Sequence, residues 1–310
     1  MIKIDINFIK DLPEGFVLTD TNLYKQYPSL VKNRKNLYVI EAGEQSKSGE
    51  NYLRIASKLE GKRIIAFGGG VVGDLAGFLA ATFKRGINLV QVPTSLMAMV
   101  DSSIGGKNGI NVGLKKNYLG TIYEAENVLI DLKFLKTLLP EEFRNGVAEI
   151  IKYAFITEED QLYEKIVLKD IRSVVETCVC LKTKVVESGN RNILNFGHTI
   201  GHAIELLMNL KHGEAVAIGM VKEAIVGERL GVVTKEKRQK LIDGLRRNDL
   251  LLDVDIRSRL GEIIELMLLD KKNSGDNVVF AFDEKNSCVK INRKDLKGIF
   301  GGVIPFGDVV

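Results

Sequence analysis

A chain of 310 residues with 45% hydrophobic and 27% charged side chains can bury a large core and, since single cores stop growing near this length, is expected to divide in two. Its net charge of +4 comes from scattered Lys and Arg with few aromatics among them, which suits a small anionic molecule and argues against a nucleic-acid face. No run approaches the roughly 18 apolar residues of a membrane span, the opening MIKIDINFIKDLPEG has no signal-peptide core, and 3 cysteines without metal spacing suit a reducing cytoplasm.

Up to Pro140, short β-rich runs alternate with glycine turns and helical stretches: FVLTDTNLY, NLYVIEAGE, KRIIAFGGGVVGDLAGFLAATF, NLVQVPTS and NVLIDL. This alternation predicts an α/β domain over 1–139 with a mostly parallel sheet. Beyond Pro140 the apolar spacing becomes helical, as in EEFRNGVAEIIKYAFI and HAIELLMNL, and predicts a mainly α-helical domain over 140–310. Late in that half, NVVFAF and CVKIN read as a small hairpin.

In IIAFGGGVVGDLAGF, Gly68, Gly70 and Gly73 satisfy G-x-G-x-x-G after an apolar strand and before a helix. That context lets backbone N–H groups and a helix N-terminus hold a pyrophosphate, although a tight turn without ligand has the same pattern. The ribose-binding acid of the standard fingerprint, about 20 residues on, is missing from RGINLVQV. Acids do stand at earlier strand ends, Asp20 in VLTDTN and Glu44 in EAGEQSK, so a dinucleotide would take its ribose contacts there and the strand order should differ from the plain Rossmann one.

Next comes VPTSLMAMVDSSIGGKNGIN, where Thr94, Ser95, Asp101, Ser102, Ser103 and Lys107 crowd around Gly105 and Gly106; Lys116 and Asn117 follow in GLKKNYLG. Hydroxyls, an acid, flexible backbone and lysines suit a polar phosphorylated substrate, and equally a solvated surface loop.

All 3 histidines, His198, His202 and His212, fall within NFGHTIGHAIELLMNLKHGE. His198 and His202 are i and i+4 on one helix face, a spacing able to chelate a metal. His212 should open the next helix, within reach by a turn. Carboxylates are the other available ligand class, and Glu149 stands out in the apolar run NGVAEIIKYA with Lys152 at i+3, because a buried acid is costly unless paired or metal-bound.

Taken together, FGGGVVGDLAGFLAATFKRG, VPTSLMAMVDSSIGGKNGIN, KNYLGTIY, AEIIKYAFI, LNFGHTIGHAIE and HGEAVAIGM resemble 3-dehydroquinate synthase, in order and in chemistry, over roughly residues 15–285. The resemblance implies a dehydroquinate synthase-like fold, with an N-terminal dinucleotide-binding α/β domain and a mainly helical C-terminal metal and substrate domain. It implies conversion of 3-deoxy-D-arabino-heptulosonate 7-phosphate to 3-dehydroquinate in the shikimate pathway. The expected cycle is oxidation by NAD, phosphate elimination, re-reduction, ring opening and intramolecular aldol closure. The cofactors it implies are NAD and one divalent metal, zinc or cobalt; the assembly is a cytoplasmic homodimer without nucleic-acid or membrane partners.

Residue by residue, the resemblance implies that Glu149, His198 and His212 hold the metal, which splits the i, i+4 pair and leaves His202 for proton transfer near the leaving phosphate. Lys107, Lys152, Asn117, Asn195 and Arg191 match substrate-binding positions, with Arg191 shaped for a bidentate pair with the substrate carboxylate. Asp101 matches an acid near the nicotinamide, Lys271 or Lys272 a further substrate contact, and Arg85 an arginine reaching the neighbouring subunit's site. For NAD the match covers Asp20, Asn22, the run Glu44, Gln45, Ser46 and Lys47, and the run Gly70, Val71, Val72, Gly73 and Asp74. It extends to Thr94, Ser95, Lys107, Lys116, Phe134 and Thr137.

The family's acidic segment before its Gly-x-Arg is shortened here to VVESGNR. Two alternatives share parts of this site. A related sugar-phosphate cyclase acting on a substrate without a carboxylate would have no use for Arg191, and a metal-dependent polyol dehydrogenase would not need the DSSIGGK and KKN clusters.

Overall fold

The computed structural model describes residues 1–301 other than 114, 168–169, 251–253, 255 and 269–275. Among the described residues no helix is long and apolar enough to cross a membrane. Contacts divide the chain into two compact units: Met1–Gly146 with Cys178–Thr183, and Val147–Thr177 with Lys184–Val310.

The first unit carries strands β1 (Ile2–Asp5), β2 (Phe16–Asp20), β3 (Leu37–Ile40), β4 (Arg63–Gly68), β5 (Asn88–Pro93), β6 (Lys107–Val112), β7 (Lys115–Ile122) and β8 (Asn127–Asp131). Its helices are α1 (Thr21–Gln26), α2 (Pro28–Val31), α3 (Gly49–Ala56) and α4 (Gly70–Thr82), and α5 (Pro140–Thr157) begins in it. Six strands form one parallel sheet in the order β1-β8-β5-β4-β2-β3. Strand β4, RIIAFG, is a continuous apolar run because a central parallel strand is buried on both faces. Helix α4 is apolar nearly all round and packs in the same core, with Leu75, Ala76 and Leu79 against Leu18, Ile64 and Leu89. Each fully buried Leu or Ile there is worth roughly 1.5–3 kcal/mol.

The strand order positions the chemistry. The chain leaves β2 for β3 on one side and then crosses to β4 on the other, so β2 and β4 flank the topological switch point, where open α/β sheets bind ligands beyond the carboxyl ends of their strands. This is the 2-1-3-4 pattern of the second common doubly wound arrangement and not the plain Rossmann order, with β1 added at the far edge. Asp20 ends β2, and the glycine stretch follows β4.

The polar segment after β5 is more ordered than a solvated loop. Ala98–Ser102 forms a π-helical turn, and Lys107 opens the antiparallel hairpin β6–β7. Gly77 on α4 makes room for Asn108, since a Cβ there would stand 1.8 Å from Asn108 Oδ1 and would displace that side chain. Asn108 in turn donates to the carbonyls of Gly106 (2.7 Å) and Tyr123 (2.9 Å) and fixes the turn ahead of Lys107.

The second unit is mainly helical: the rest of α5, then α6 (Gln161–Val167), α7 (Ile171–Glu187, apart from the segment in the first unit), α8 (His198–Met208), α9 (His212–Arg229), α10 (Lys235–Arg247), α11 (Leu260–Leu268) and α12 (Arg293–Gly301). Strands β9 (Asn277–Phe280) and β10 (Val289–Asn292) make the small antiparallel hairpin. Phe155 and Phe196 stack with ring centroids 4.1 Å apart, which anchors the approach to α8. Helices α8 and α9 touch backbone to backbone: a Cβ on Gly219 would lie 2.0 Å from the Gly197 carbonyl oxygen, and one on Gly201 3.1 Å from that of Ala215.

Candidate active site

Glu149 on α5, His198 at the first position of α8 and His212 at the first position of α9 offer ligand atoms that all lie within 4.8 Å of one another. Glu149 Oε1 stands 3.4 Å from His198 Nε2 and 3.3 Å from His212 Nε2. Ligands about 2.0–2.1 Å from a tetrahedral metal are themselves roughly 3.3–3.4 Å apart, so this spacing fits a divalent ion. Two imidazoles and a carboxylate are also a catalytic zinc donor set, which leaves a position open.

The surroundings orient the ligands. His198 Nδ1 lies 3.0 Å from the Phe196 carbonyl and His212 Nδ1 3.2 Å from Glu205 Oε2, so each ring has an acceptor behind it and turns Nε2 toward Glu149. The buried ammonium of Lys152 ion-pairs with Glu149 Oε2. Burial works to raise the pKa of Glu149, yet Lys152 and the two imidazoles hold it well below the usual carboxylate range. Burial, with Lys152 adding to it, pushes His198 down to about 4 against the pull of Glu149, which keeps the ring neutral as a ligand must be. Burial opposes protonation of His212 too, but the hydrogen bonds to Glu149 and Glu205 prevail and draw it up to about 9. A field that favours a proton there also favours a divalent cation, which would displace it.

His202 stands apart from this group. Its side chain is exposed, and its ring meets His198 edge-on at 5.2 Å between centroids. With Glu205 and His212 it forms a second set of ligand atoms within 4.8 Å. The i, i+4 histidines therefore share a helix face, but only His198 faces Glu149.

In the first unit, most of the residues matched to NAD follow the carboxyl ends of β2, β3, β4 and β5. Asp20 caps α1, accepting from the backbone N–H of Asn22 (2.9 Å) and Leu23 (3.0 Å), and burial raises its pKa against those two bonds. Helix α4 starts behind Gly69, which supplies no side-chain cap, and Gly73 lies against Gln91 where a Cβ would be 2.9 Å from Oε1. Thr94 is buried and Ser95 partly so; the Ser95 hydroxyl accepts from Ala98 N–H at 3.3 Å. Buried Lys47 bridges Asp74 (2.9 Å) and Glu44 (3.2 Å), in the turn that also holds Gln45 and Ser46. Burial works to lower the Lys47 pKa, but the two acids prevail and raise it. Phe134 packs edge-on against Phe67 and Tyr27, and Thr137 lies 2.8 Å from the Tyr27 hydroxyl. Gly70, Val71 and Val72 form the first turn of α4, Asn22 is exposed on α1, and Lys116 is exposed on β7.

Among the substrate positions, Lys107 and Asn117 are exposed on the β6–β7 hairpin, Asn117 with φ of 50°. Arg85 is exposed in a turn where Lys84 (φ 49°) and Arg85 (φ 68°) are both left-handed. In the second unit, Arg191 and Asn195 are partly buried at the two ends of one 3-10 turn. Lys271 and Lys272 lie outside the described residues.

Sequence reading does not single out several residues that contact the candidate positions. Lys182 donates to the Asp101 carbonyl at 2.6 Å and ion-pairs with its carboxylate. Asn111 donates to Glu44 Oε1 and accepts from Asn117 N–H, both at 2.8 Å, joining a residue matched to NAD to one matched to substrate. Glu205 and Glu223 were also passed over. Nothing in the local sequence marks these residues; Lys182 sits two residues from Lys184 on one amphipathic helix.

Residues 37–145 match the profile of the 3-dehydroquinate synthase N-terminal family, and residues 146–273 that of the 3-dehydroquinate synthase C-terminal family. The chain is 39% identical to 3-dehydroquinate synthase of Clostridium botulinum (strain Alaska E43 / Type E3), over 87% of this chain and 85% of that one. It is 36% identical, over 86% of its own length, to the pentafunctional AROM polypeptide of Pneumocystis carinii, of which it spans 21%. Its fold is shared with a 2-deoxy-scyllo-inosose synthase solved with carbaglucose-6-phosphate, NAD+ and Co2+ (TM-score 0.77, 22% identity, 91% of this chain and 88% of that one). It is shared equally with the 2-epi-5-epi-valiolone synthase ValA of Streptomyces hygroscopicus subsp. jinggangensis 5008, solved with NAD+ and Zn2+ (TM-score 0.77, 23% identity, 97% and 95%).

Proposed function

The chain belongs to the 3-dehydroquinate synthase family, and from that premise we propose that it converts 3-deoxy-D-arabino-heptulosonate 7-phosphate to 3-dehydroquinate and phosphate, as a phosphate-eliminating carbon–oxygen lyase dependent on NAD and a divalent metal. The observation that carries this reading is the convergence of Glu149, His198 and His212, with ligand atoms within 4.8 Å of one another, beside the buried Lys152. Residues 1–139 serve NAD and, through Lys107 and Asn117, part of the substrate; residues 140–310 serve the metal and the rest of the substrate.

Glu149, His198 and His212 hold the metal, zinc or cobalt as in the solved relatives, and Asp20, Glu44, Lys47, the Gly70–Asp74 turn, Thr94 and Ser95 hold NAD. When bound, the metal supplies Lewis acidity to the substrate hydroxyl and carbonyl, and NAD takes up and returns a hydride. The protein's own groups do the rest. The planar guanidinium of Arg191 takes the substrate carboxylate bidentately, with Asn195 one turn away. Lys107 and Asn117 bind the polar face of the substrate. Lys152 keeps Glu149 ionised. Asp101, held by Lys182, would stand near the nicotinamide of bound NAD, and His202, not buried in the ligand group, would move the proton beside the leaving phosphate.

The assembly is a homodimer in which the left-handed turn at Lys84 and Arg85 extends Arg85 to the partner's site. Mixing two inactive variants, Arg85→Ala and His202→Ala, should then restore part of the activity; no recovery argues against the shared site.

The direct assay is phosphate release from the heptulosonate 7-phosphate with trace NAD and zinc or cobalt, forming dehydroquinate without net NADH. Accumulation of NADH would instead mark a plain dehydrogenase.

A further inference from the structure

His212 lies between two carboxylates, Glu149 Oε1 at 3.3 Å from Nε2 and Glu205 Oε2 at 3.2 Å from Nδ1. To ligate a cation through Nε2, the ring must give up the proton on that nitrogen and keep the one on Nδ1. Which proton is kept depends on what stands behind the ring. Glu149 is already engaged by the buried ammonium of Lys152. Glu205 is on α8, one turn beyond His202, with 10% of its side chain exposed. His198 solves the same problem with a backbone carbonyl, that of Phe196 at 3.0 Å; His212 instead uses a charged acceptor, which makes the imidazole the more basic ligand.

We propose that Glu205 is a positioning residue of the metal centre: its carboxylate holds the Nδ1 proton of His212, fixes the ring's tautomer and rotation, and leaves Nε2 to the cation alongside Glu149 and His198. The inference rests on the metal-dependent reading above. It also separates two possible uses of one carboxylate, because His202, Glu205 and His212 lie close enough for Glu205 to be a ligand itself.

Zinc affinity by chelator competition, on wild type, Glu205→Gln, Glu205→Ala and His212→Ala, distinguishes these. The amide oxygen of glutamine still accepts the Nδ1 proton but is a poor zinc ligand. Glu205→Gln should therefore stay within about tenfold of wild type, and Glu205→Ala should bind zinc about 10–100-fold more weakly. Wild-type affinity in Glu205→Ala overturns the proposal, and so does a Glu205→Gln as weak as His212→Ala. A wild type that binds no stoichiometric zinc fails the metal reading instead. Should Glu205→Ala not fold, nitrogen-15 spectra of zinc-loaded wild type decide, with only 3 histidines to assign. They should show His212 protonated at Nδ1 and in a hydrogen bond, and a His212 bound to zinc through Nδ1 overturns the proposal.

Discussion

Glu223 Oε2 accepts the backbone N–H of Gly197 at 2.8 Å, and its Oε1 that of Ile200 at 3.0 Å. A buried acid on α9 thus caps α8, whose own N-cap, Gly197 (φ 79°), has no side chain to offer. Buried N–H groups left without an acceptor cost about 1–3 kcal/mol. Glu223→Ala should accordingly lower the melting temperature by several degrees, at roughly 2–4 °C per kcal/mol for domains of 150–250 residues. Because His198 is the first residue of the capped helix, zinc affinity should fall as well. An unchanged melting curve would show that solvent replaces the cap.

His212→Ala should lose stoichiometric metal. His202→Ala should retain it while phosphate release slows about 10²–10⁴-fold, the usual worth of a positioned acid or base. Metal analysis of both purified variants checks the assignment, and the reverse pattern would exchange the roles of the two histidines.

Asp131 ties β8 to the chain's first residues. Its carboxylate is fully buried, Oδ1 accepting from Asn7 (2.9 Å) and Lys133 (3.0 Å) N–H and Oδ2 from Ile9 N–H (3.0 Å), with the Lys133 ammonium 3.2 Å away. Burial raises its pKa, but these partners together outweigh burial and lower it. A folded value below the unfolded one, about 3.9, contributes stability that is fully present above that pH and is lost as pH falls through the folded value. Asp131→Asn should therefore be destabilising by about 1–3 kcal/mol at pH 7, and the gap to wild type should close below pH about 4. Urea melts from pH 3 to 7 measure it; a gap independent of pH would mean that the charge of Asp131 contributes nothing.

Gly219→Ala should be severely destabilising, since its Cβ would meet backbone atoms, Gly197 O at 2.0 Å and Gly201 N at 2.8 Å, which cannot rotate away. Overpacking of this kind costs about 1–3 kcal/mol or more. Gly261→Ala on α11 is the control: nothing lies within 4 Å of its Cβ, and helix propensity favours alanine by up to about 1 kcal/mol. Equal melting temperatures for the two variants would contradict the close approach of α8 and α9.

How much of this is legible in the sequence follows from where each signal resides. The strands β2, β4, β5 and β8 are short apolar runs bounded by turn residues, so local pattern suffices, and His212 opens its helix as the spacing implies. The hairpin β6–β7 is not legible, because KKNYLGTI is nearly all exposed and has no apolar alternation to mark it as a strand. Lys182 looks like any lysine on an amphipathic helix until the fold sets it on Asp101, 81 residues earlier. Glu205 and Glu223 are invisible for a related reason: what each carboxylate does depends on a group 7 and 26 residues away that only the packing of α8 on α9 delivers.

That packing has a mechanical consequence. Side chains between helices normally act as a compliant layer that absorbs small shifts, but at Gly197, Gly201 and Gly219 no such layer exists and peptide groups bear directly on one another. The approach of His198 to His212 is therefore limited by hard contact, and motion of the two helices as one body leaves it unchanged. Substitutions that enlarge any of these three glycines would have to displace backbone, so the seam between the two histidines has little slack to give.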